Sequence, residues 1–429
     1  MPEAGGDWKP FDPPRTGLSD AAPADTRRAM ITNLALVIGV ALTGWLAFNP
    51  RLLKSAAWRA TVTPLASIIG SGFLVAGPIL AGAAGSRAWL AMAALCAAGW
   101  LYGAVIRHNI LHLEPRLASL GRFEKGLERG SELMLALSYF VSVAYYLNLF
   151  AAFGLRMIGV TDQTMIRVSA SGAIVTVGLI GNRGGLRALE RLEVGAVGLK
   201  LSVIGGLLLA LAVAAITAMA QKTLIFPAGE ASRTEAFRIV LGLIILVQGF
   251  ETSRFLGNEY SAELRVRSMR RAQIISTAIY LLFVLMVTHL FREGLHGAGA
   301  ETGIIDMLKP LGWVAAPLLI AAALASQSSA AIADMNGAAG LIAEVGGKRI
   351  SVPLGNLLTA GAALAVTWLG DIFQIITYAS KAFVAYYGLQ AVQAARLAWL
   401  EKRYASAVVF AFGVLLSLAV LLLAEPAKA

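Results

Sequence analysis

Two stretches of this 429-residue chain set glycine, hydroxyl and carboxylate groups inside otherwise apolar sequence. The first is Ser67-Ile68-Ile69-Gly70-Ser71-Gly72-Phe73, with Pro78 beyond it; the second is Gln248-Gly249-Phe250-Glu251-Thr252-Ser253, running on to Gly257-Asn258-Glu259. Glycine costs about 1 kcal/mol relative to alanine inside a helix, so Gly70-Ser71-Gly72 predicts a break. Unwinding frees N–H groups and exposes half-helix N-termini, which attract an anion such as a carboxylate, while freed carbonyls can hold a cation. In the second stretch Glu251 is expensive in an apolar setting unless it faces a cavity. Gly70 and Gly72 also fit a plainer purpose, close packing of membrane helices. The matched second interruption favours the break.

Other polar residues lie in apolar surroundings. Lys200, in Gly198-Leu199-Lys200-Leu201-Ser202, admits two readings. Desolvated, it can exchange its proton as a cycle proceeds; alternatively it snorkels, since it lies only about 10 Å of helix rise from Glu193 and a basic loop. Ser326, Ser328 and Ser329, in Ala325-Ser326-Gln327-Ser328-Ser329-Ala330, offer either oxygen ligands or small packing groups. Asp334 and Lys381 either pair, line a pathway or sit near interfaces, and Tyr145, Tyr146 and Asn148 either form a binding wall or pack. His108 and His112 share a helix face, but no acidic partner stands at a zincin position, so no metal site is assigned. Cys96 is the only cysteine, which excludes disulfides and thiolate clusters within one chain. With no Walker A sequence, dinucleotide fingerprint or nucleophile elbow, neither a cofactor nor enzymatic activity is expected.

The elements that must carry these groups follow from composition. Hydrophobic residues make up 58%, charged residues 14%, and the mean hydropathy is +0.71, values that exclude ordinary soluble domains. Long continuous apolar runs favour helices over a barrel. Twelve spans are predicted, at residues 31–48, 60–82, 89–106, 133–158, 165–180, 194–220, 237–256, 272–291, 313–345, 352–369, 372–397 and 406–423. The net charge of +11 resides in short loops, so positive-inside topology explains it without nucleic acid. Every second loop is basic, from Arg51, Lys54 and Arg59 to Arg396, Lys402 and Arg403, making those loops cytoplasmic and the loops at 161–163 and 294–303 external. This puts the N-terminus outside, although Arg27 and Arg28 argue for a first helix that is peripheral or has both ends inside. Residues 1–30 read as a disordered tail. Two interrupted helices in matching positions point to inverted repeats with a site at the midplane.

The residues Ile69-Gly70-Ser71-Gly72-Phe73 with Pro78, and Gly249-Phe250-Glu251 with trailing Glu259, resemble the first and sixth core helices of the amino acid, polyamine and organocation (APC) permeases. The resemblance implies an all-α fold of the LeuT type, a 5+5 inverted repeat with one extra helix before the core and one after. Residues 31–59 then hold the extra helix and a basic loop, 60–220 the first repeat, 236–398 the second, and 404–429 the added C-terminal helix. It also implies substrate contacts from Ile69, Gly70, Ser71 and Gly72, whose amides take a carboxylate, and from Gln248, Gly249, Phe250 and Glu251. Phe250 would gate or cover the substrate, and Glu251 would pair with a substrate amine or with Arg254. In some members a lysine at the position of Lys200 replaces sodium and couples to protons, whereas sodium-coupled relatives complete an oxygen cage with serines such as Ser328 and Ser329; both cannot operate together. The expected function is a secondary active permease of the cytoplasmic membrane for an amino acid or small amine, proton-coupled or exchanging. The alternatives are an inorganic-ion or other solute carrier on the same fold, or a non-transporting sensor or accessory protein.

Overall fold

Lipid offers no hydrogen bonds, so apolar stretches of about 20 residues must satisfy their backbone internally, and helices do so within one segment. The computed structural model describes residues 23–70, 72–183, 193–290, 300–346 and 349–427. Helix α1 (Pro23–Ala47) leads through the short α2 (Pro50–Lys54) to α3 (Ala56–Ile68) and α4 (Gly72–Ala84), two halves of one interrupted helix. Next come α5 (Ala88–His112), α6 (Arg122–Arg156), α7 (Gln163–Asn182) and α8 (Glu193–Ala220). A second interrupted element consists of α9 (Arg233–Leu241), a 3-10 turn at Ile244–Val247 and a 3-10 helix at Phe250–Asn258. The chain continues through α10 (Ala262–Leu290), the short α11 (Ile304–Leu308), α12 (Ala315–Val345), α13 (Val352–Leu369), α14 (Ile372–Leu400) and α15 (Tyr404–Leu423). No strand occurs among the described residues.

Each of the twelve predicted apolar segments coincides with one of these elements, and the protein is a polytopic all-α membrane protein. Nine helical stretches among the described residues are individually long and apolar enough to cross a bilayer. One of them, Gly72–His112, joins α4 to α5 through a tight turn. The interrupted helices and α14, which carries Lys381 and Arg396, supply the rest. Local chemistry sets several boundaries. Asp162 caps α7 by accepting from Met165 N at 2.8 Å, and Asp371 opens α14 with a reciprocal capping box to Gln374.

Four features differ from expectation. Helix α1 already begins at Pro23, inside the stretch read as a tail, because a residue without an N–H is tolerated in a first helical turn; residues 1–22 lie outside the described residues. Helix α6 starts at Arg122, well before its apolar stretch, since the added turns bury Glu128 and Ser131. Residues 237–256 are helical only to Leu241 and then follow the 3-10 path. Residues 304–311, which lie between the loop at 294–303 and the span predicted from 313 and belong to no predicted span, form a short helix and turn that bury Ile304, Ile305, Met307, Leu308 and Leu311 as an apolar cap on the bundle.

Helix α1 lies against α8 along its length. A Cβ on Gly198 would stand 2.4 Å from the Phe48 ring, and one on Gly205 would stand 2.1 Å from Thr43 Oγ1. Thr32 Oγ1 donates to Leu311 O at 2.7 Å, fixing the start of α1 to the cap, opposite the basic loops. The start of α1 is thus held to the cap and its length to α8. Gly205→Leu is expected to lower stability by about 1–3 kcal/mol by forcing α1 off α8; thermal unfolding of the purified variant in detergent checks this, and an unchanged melting temperature would mean the contact contributes nothing.

Candidate functional site between two broken helices

The two interruptions meet backbone to backbone. Helix α3 leaves helical geometry at Ile69, whose ψ is 45°, and α4 resumes at Gly72; Ser71 lies outside the described residues. A Cβ on Gly72 would stand 2.8 Å from Leu246 Cα, in the other interruption. Gly249 adopts φ 115°, and a Cβ there would stand 2.5 Å from Ser67 Oγ and 2.7 Å from Ile68 N. Glycine at 249 is thus required twice, for the left-handed backbone and for the approach.

Freed carbonyls at membrane depth need donors. Tyr280 on α10, fully buried, places its hydroxyl 3.0 Å from Ile68 O and 2.6 Å from Leu246 O, one group reaching both breaks. Ser380 on α14 donates to Gly242 O at 2.7 Å and accepts from Ile245 N at 3.0 Å. Sequence reasoning missed both, because a hydroxyl in an apolar span carries no mark of which carbonyl it faces. The polar side chain on an otherwise hydrophobic face was the available signal.

Of the residues singled out in the second break, Glu251 accepts from Gly249 N at 2.9 Å and from the Tyr387 hydroxyl at 2.7 Å. Of the two pairings open to Glu251, the one with Arg254 does not form: Arg254 turns to Glu128 at 2.5 Å and Glu114 at 3.5 Å. Thr252 Oγ1 donates to Gly249 O at 2.7 Å. Gln248 Nε2 donates to Tyr146 Oη at 3.1 Å, while its Oε1 has no partner among the described residues. Phe250 stacks on Tyr387, which stacks on Tyr102, with centroids 5.1 and 5.0 Å apart, so its ring is committed to packing in this conformation.

Across from these groups, Asp334 on α12 accepts from Ser142 on α6. Tyr139, three residues before Ser142 on α6, packs edge-on against Phe383, which contacts Tyr387, the donor to Glu251, so a chain of aromatic contacts links the surroundings of these two buried carboxylates. Asn148 instead bonds Ala144 O and Thr367, a helix-packing arrangement.

At the first break, Lys200 on α8 is 5% exposed and does not snorkel: Nζ donates to Ala66 O at 2.7 Å and lies 3.3 Å from Ser326 Oγ. Lys200, Ser326 and Gly70 line a small pocket of about 20 Å³ together with Phe73 and Leu319. Ser328 turns back to Leu324 O and Ala325 O of its own helix, so Ser326 is the serine that meets the lysine; Ser329 is half-buried. His112 is engaged by Arg403 and Glu401, and no cluster of three metal-binding side chains exists among the described residues.

Tyr280→Phe is expected to leave both carbonyls short of a donor and to cost about 1–3 kcal/mol; a thermal-shift comparison with wild type measures it, and equal stability would show that the carbonyls find other donors.

Comparison with known proteins agrees with this geometry. A family model described as an APC superfamily transporter matches residues 50–424. An uncharacterised protein of Aquifex aeolicus (strain VF5) is 39% identical over 359 residues, covering 82% of this chain and 86% of that protein. With glycine-marked breaks apposed at the centre of an all-α bundle, the chain belongs to the APC superfamily of transporters, whose members reside in a membrane and handle small-molecule substrates.

Proposed function

We propose that this protein is a secondary active transporter of the cytoplasmic membrane for an amino acid or related small amine, working by alternating access around the two breaks. The apposition of those breaks, joined by the Tyr280 hydroxyl, is the observation that carries the reading. Non-helical backbone at membrane depth is tolerated where protein or a water-filled cavity surrounds it, and half-helix N-termini there favour an anionic group. In this reading the backbone around Ile69, Gly70, Ser71 and Gly72 takes the carboxylate of the substrate. The amine faces the region of Glu251, Asp334 and Gln248, whose two carboxylates favour a cationic group. Residues 60–220 and 236–398 act as the two inverted repeats, each opening with one broken helix.

Lys200 is assigned to proton coupling. Its ammonium occupies the space between the α3 carbonyls and Ser326, where it repels any sodium ion. When the proton leaves, the neutral amine keeps two of its three N–H donors, gains one acceptor lone pair and loses its charge, so its hold on Ala66 O weakens and the α3 end is freer to move relative to α8.

Reconstitution into proteoliposomes tests the reading. Uptake of a labelled amino acid or amine is expected to rise with an inward proton gradient, and Lys200→Met is expected to abolish that stimulation while leaving exchange of preloaded substrate. Glu251→Gln is expected to lower apparent affinity for an amine substrate about tenfold or more, the loss of one charge-assisted contact. Absence of uptake for every amino acid and amine tried would remove the substrate assignment. Uptake by Lys200→Met that still follows the gradient would remove the coupling role.

A further inference from the structure

A second pocket lies away from the transport site, at the end of the bundle carrying the basic loops. It opens between the segment after α5 and the last turns of α14, has a volume of about 180 Å³, and is lined by Arg116, Glu124, Gln393, Arg396, Leu397 and Leu400 among others. Gln393 is only 3% exposed, yet neither its Nε2 nor its Oε1 has a hydrogen-bond partner among the described residues. A buried carboxamide with both ends unmet is costly, and here it faces a pocket.

The rim is cationic. Arg116 and Arg396 are each half exposed and each engages one carboxylate, Glu401 at 2.7 Å and Glu124 at 3.0 Å respectively. A guanidinium has five N–H donors, so each keeps donors for a further acceptor. Arg122, Lys125, Arg129, Lys402 and Arg403 add positive charge in the adjoining sequence. Beside the pocket, Trp399, Leu400 and Tyr404 are 61%, 65% and 52% exposed, the aromatic and apolar side chains that settle at a membrane–water boundary.

We propose that this pocket binds the phosphodiester headgroup of an anionic phospholipid from the adjacent leaflet. Arg116 and Arg396 hold the phosphate, the Gln393 carboxamide meets a hydroxyl or ester of the glycerol, and Leu397 and Leu400 carry the start of the acyl chain. Charge complementarity and the boundary position select an anionic lipid over a zwitterionic one.

The test uses the full-length protein in detergent, titrated with phosphatidylglycerol, phosphatidylcholine or inorganic phosphate and read by native mass spectrometry and thermal shift. Phosphatidylglycerol is expected to be retained one to one and to raise the melting temperature, with phosphatidylcholine and inorganic phosphate doing neither. Gln393→Leu is expected to weaken that retention about tenfold while leaving the lipid-free protein at least as stable, because the unmet amide is gone. An Arg116→Gln/Arg396→Gln double variant is expected to lose the preference for the anionic lipid. Equal retention of both lipids, the same shift from inorganic phosphate alone, or undiminished retention by Gln393→Leu would each overturn the proposal. None of these readouts depends on transport.

Discussion

In a bilayer the peptide group has nowhere to send its hydrogen bonds except into the protein, and every unusual feature at the centre of this bundle answers to that constraint. Where α3 stops, and again after α9, carbonyls lose their helical donors; the Tyr280 and Ser380 hydroxyls take over. The two breaks are also sterically interlocked, Gly72 against Leu246 and Gly249 against Ser67. Neither could be widened by a single methyl group without displacing the other, so the site is defined by backbone more than by side chains.

Charge is partitioned around that backbone. Lys200 stands on one side, held by Ala66 O and Ser326, while the surroundings of Glu251 and Asp334 are linked through Tyr387, Phe383 and Tyr139. Both ends of the bundle are tied by ion pairs. At the basic end Arg254 and Arg265 share Glu114, and Arg254 also takes Glu128; at the opposite end Arg156 holds Asp306, and Gln163 donates to Glu301 of the cap. Partly buried pairs of this kind contribute modestly to net stability, but breaking one partner leaves a desolvated charge, which makes them discrete latches more than adhesive.

Much of the architecture was legible because lipid imposes simple rules on composition. Apolar length marked the twelve elements, loop charge marked their ends, and glycine beside polar residues in apolar sequence marked both breaks. What stayed hidden depends on helix rotation and on distant partners. Ser326 and Ser328 differ by two residues, about 200° around a helix, and only one of them can face Lys200. Glu251 had Arg254 three residues away, yet a nearby amide and Tyr387 from α14 capture it, while Arg254 finds Glu128. The early start of α6 was hidden for a similar reason, since residues 122–132 read as a polar loop until Glu128 and Ser131 are seen to have partners. Tyr280, which ties the centre together, shows in sequence only as a hydroxyl on an apolar face, with nothing to mark the two carbonyls it meets.

Helix α1 lies outside the stretch matched by the family, yet it is pressed against α8, the helix that bears Lys200, closely enough that Gly205 and Thr43 leave no room for a side chain between them. Its outer face is apolar and exposed, with Leu34, Val37, Ile38, Leu42 and Trp45 toward the surroundings. Any tilt of α8 therefore drags a whole transbilayer rod whose apolar length must match the hydrocarbon around it. A helix so placed would pass the thickness of the surrounding bilayer to the Lys200 helix as a mechanical load, without any lipid reaching the centre of the protein.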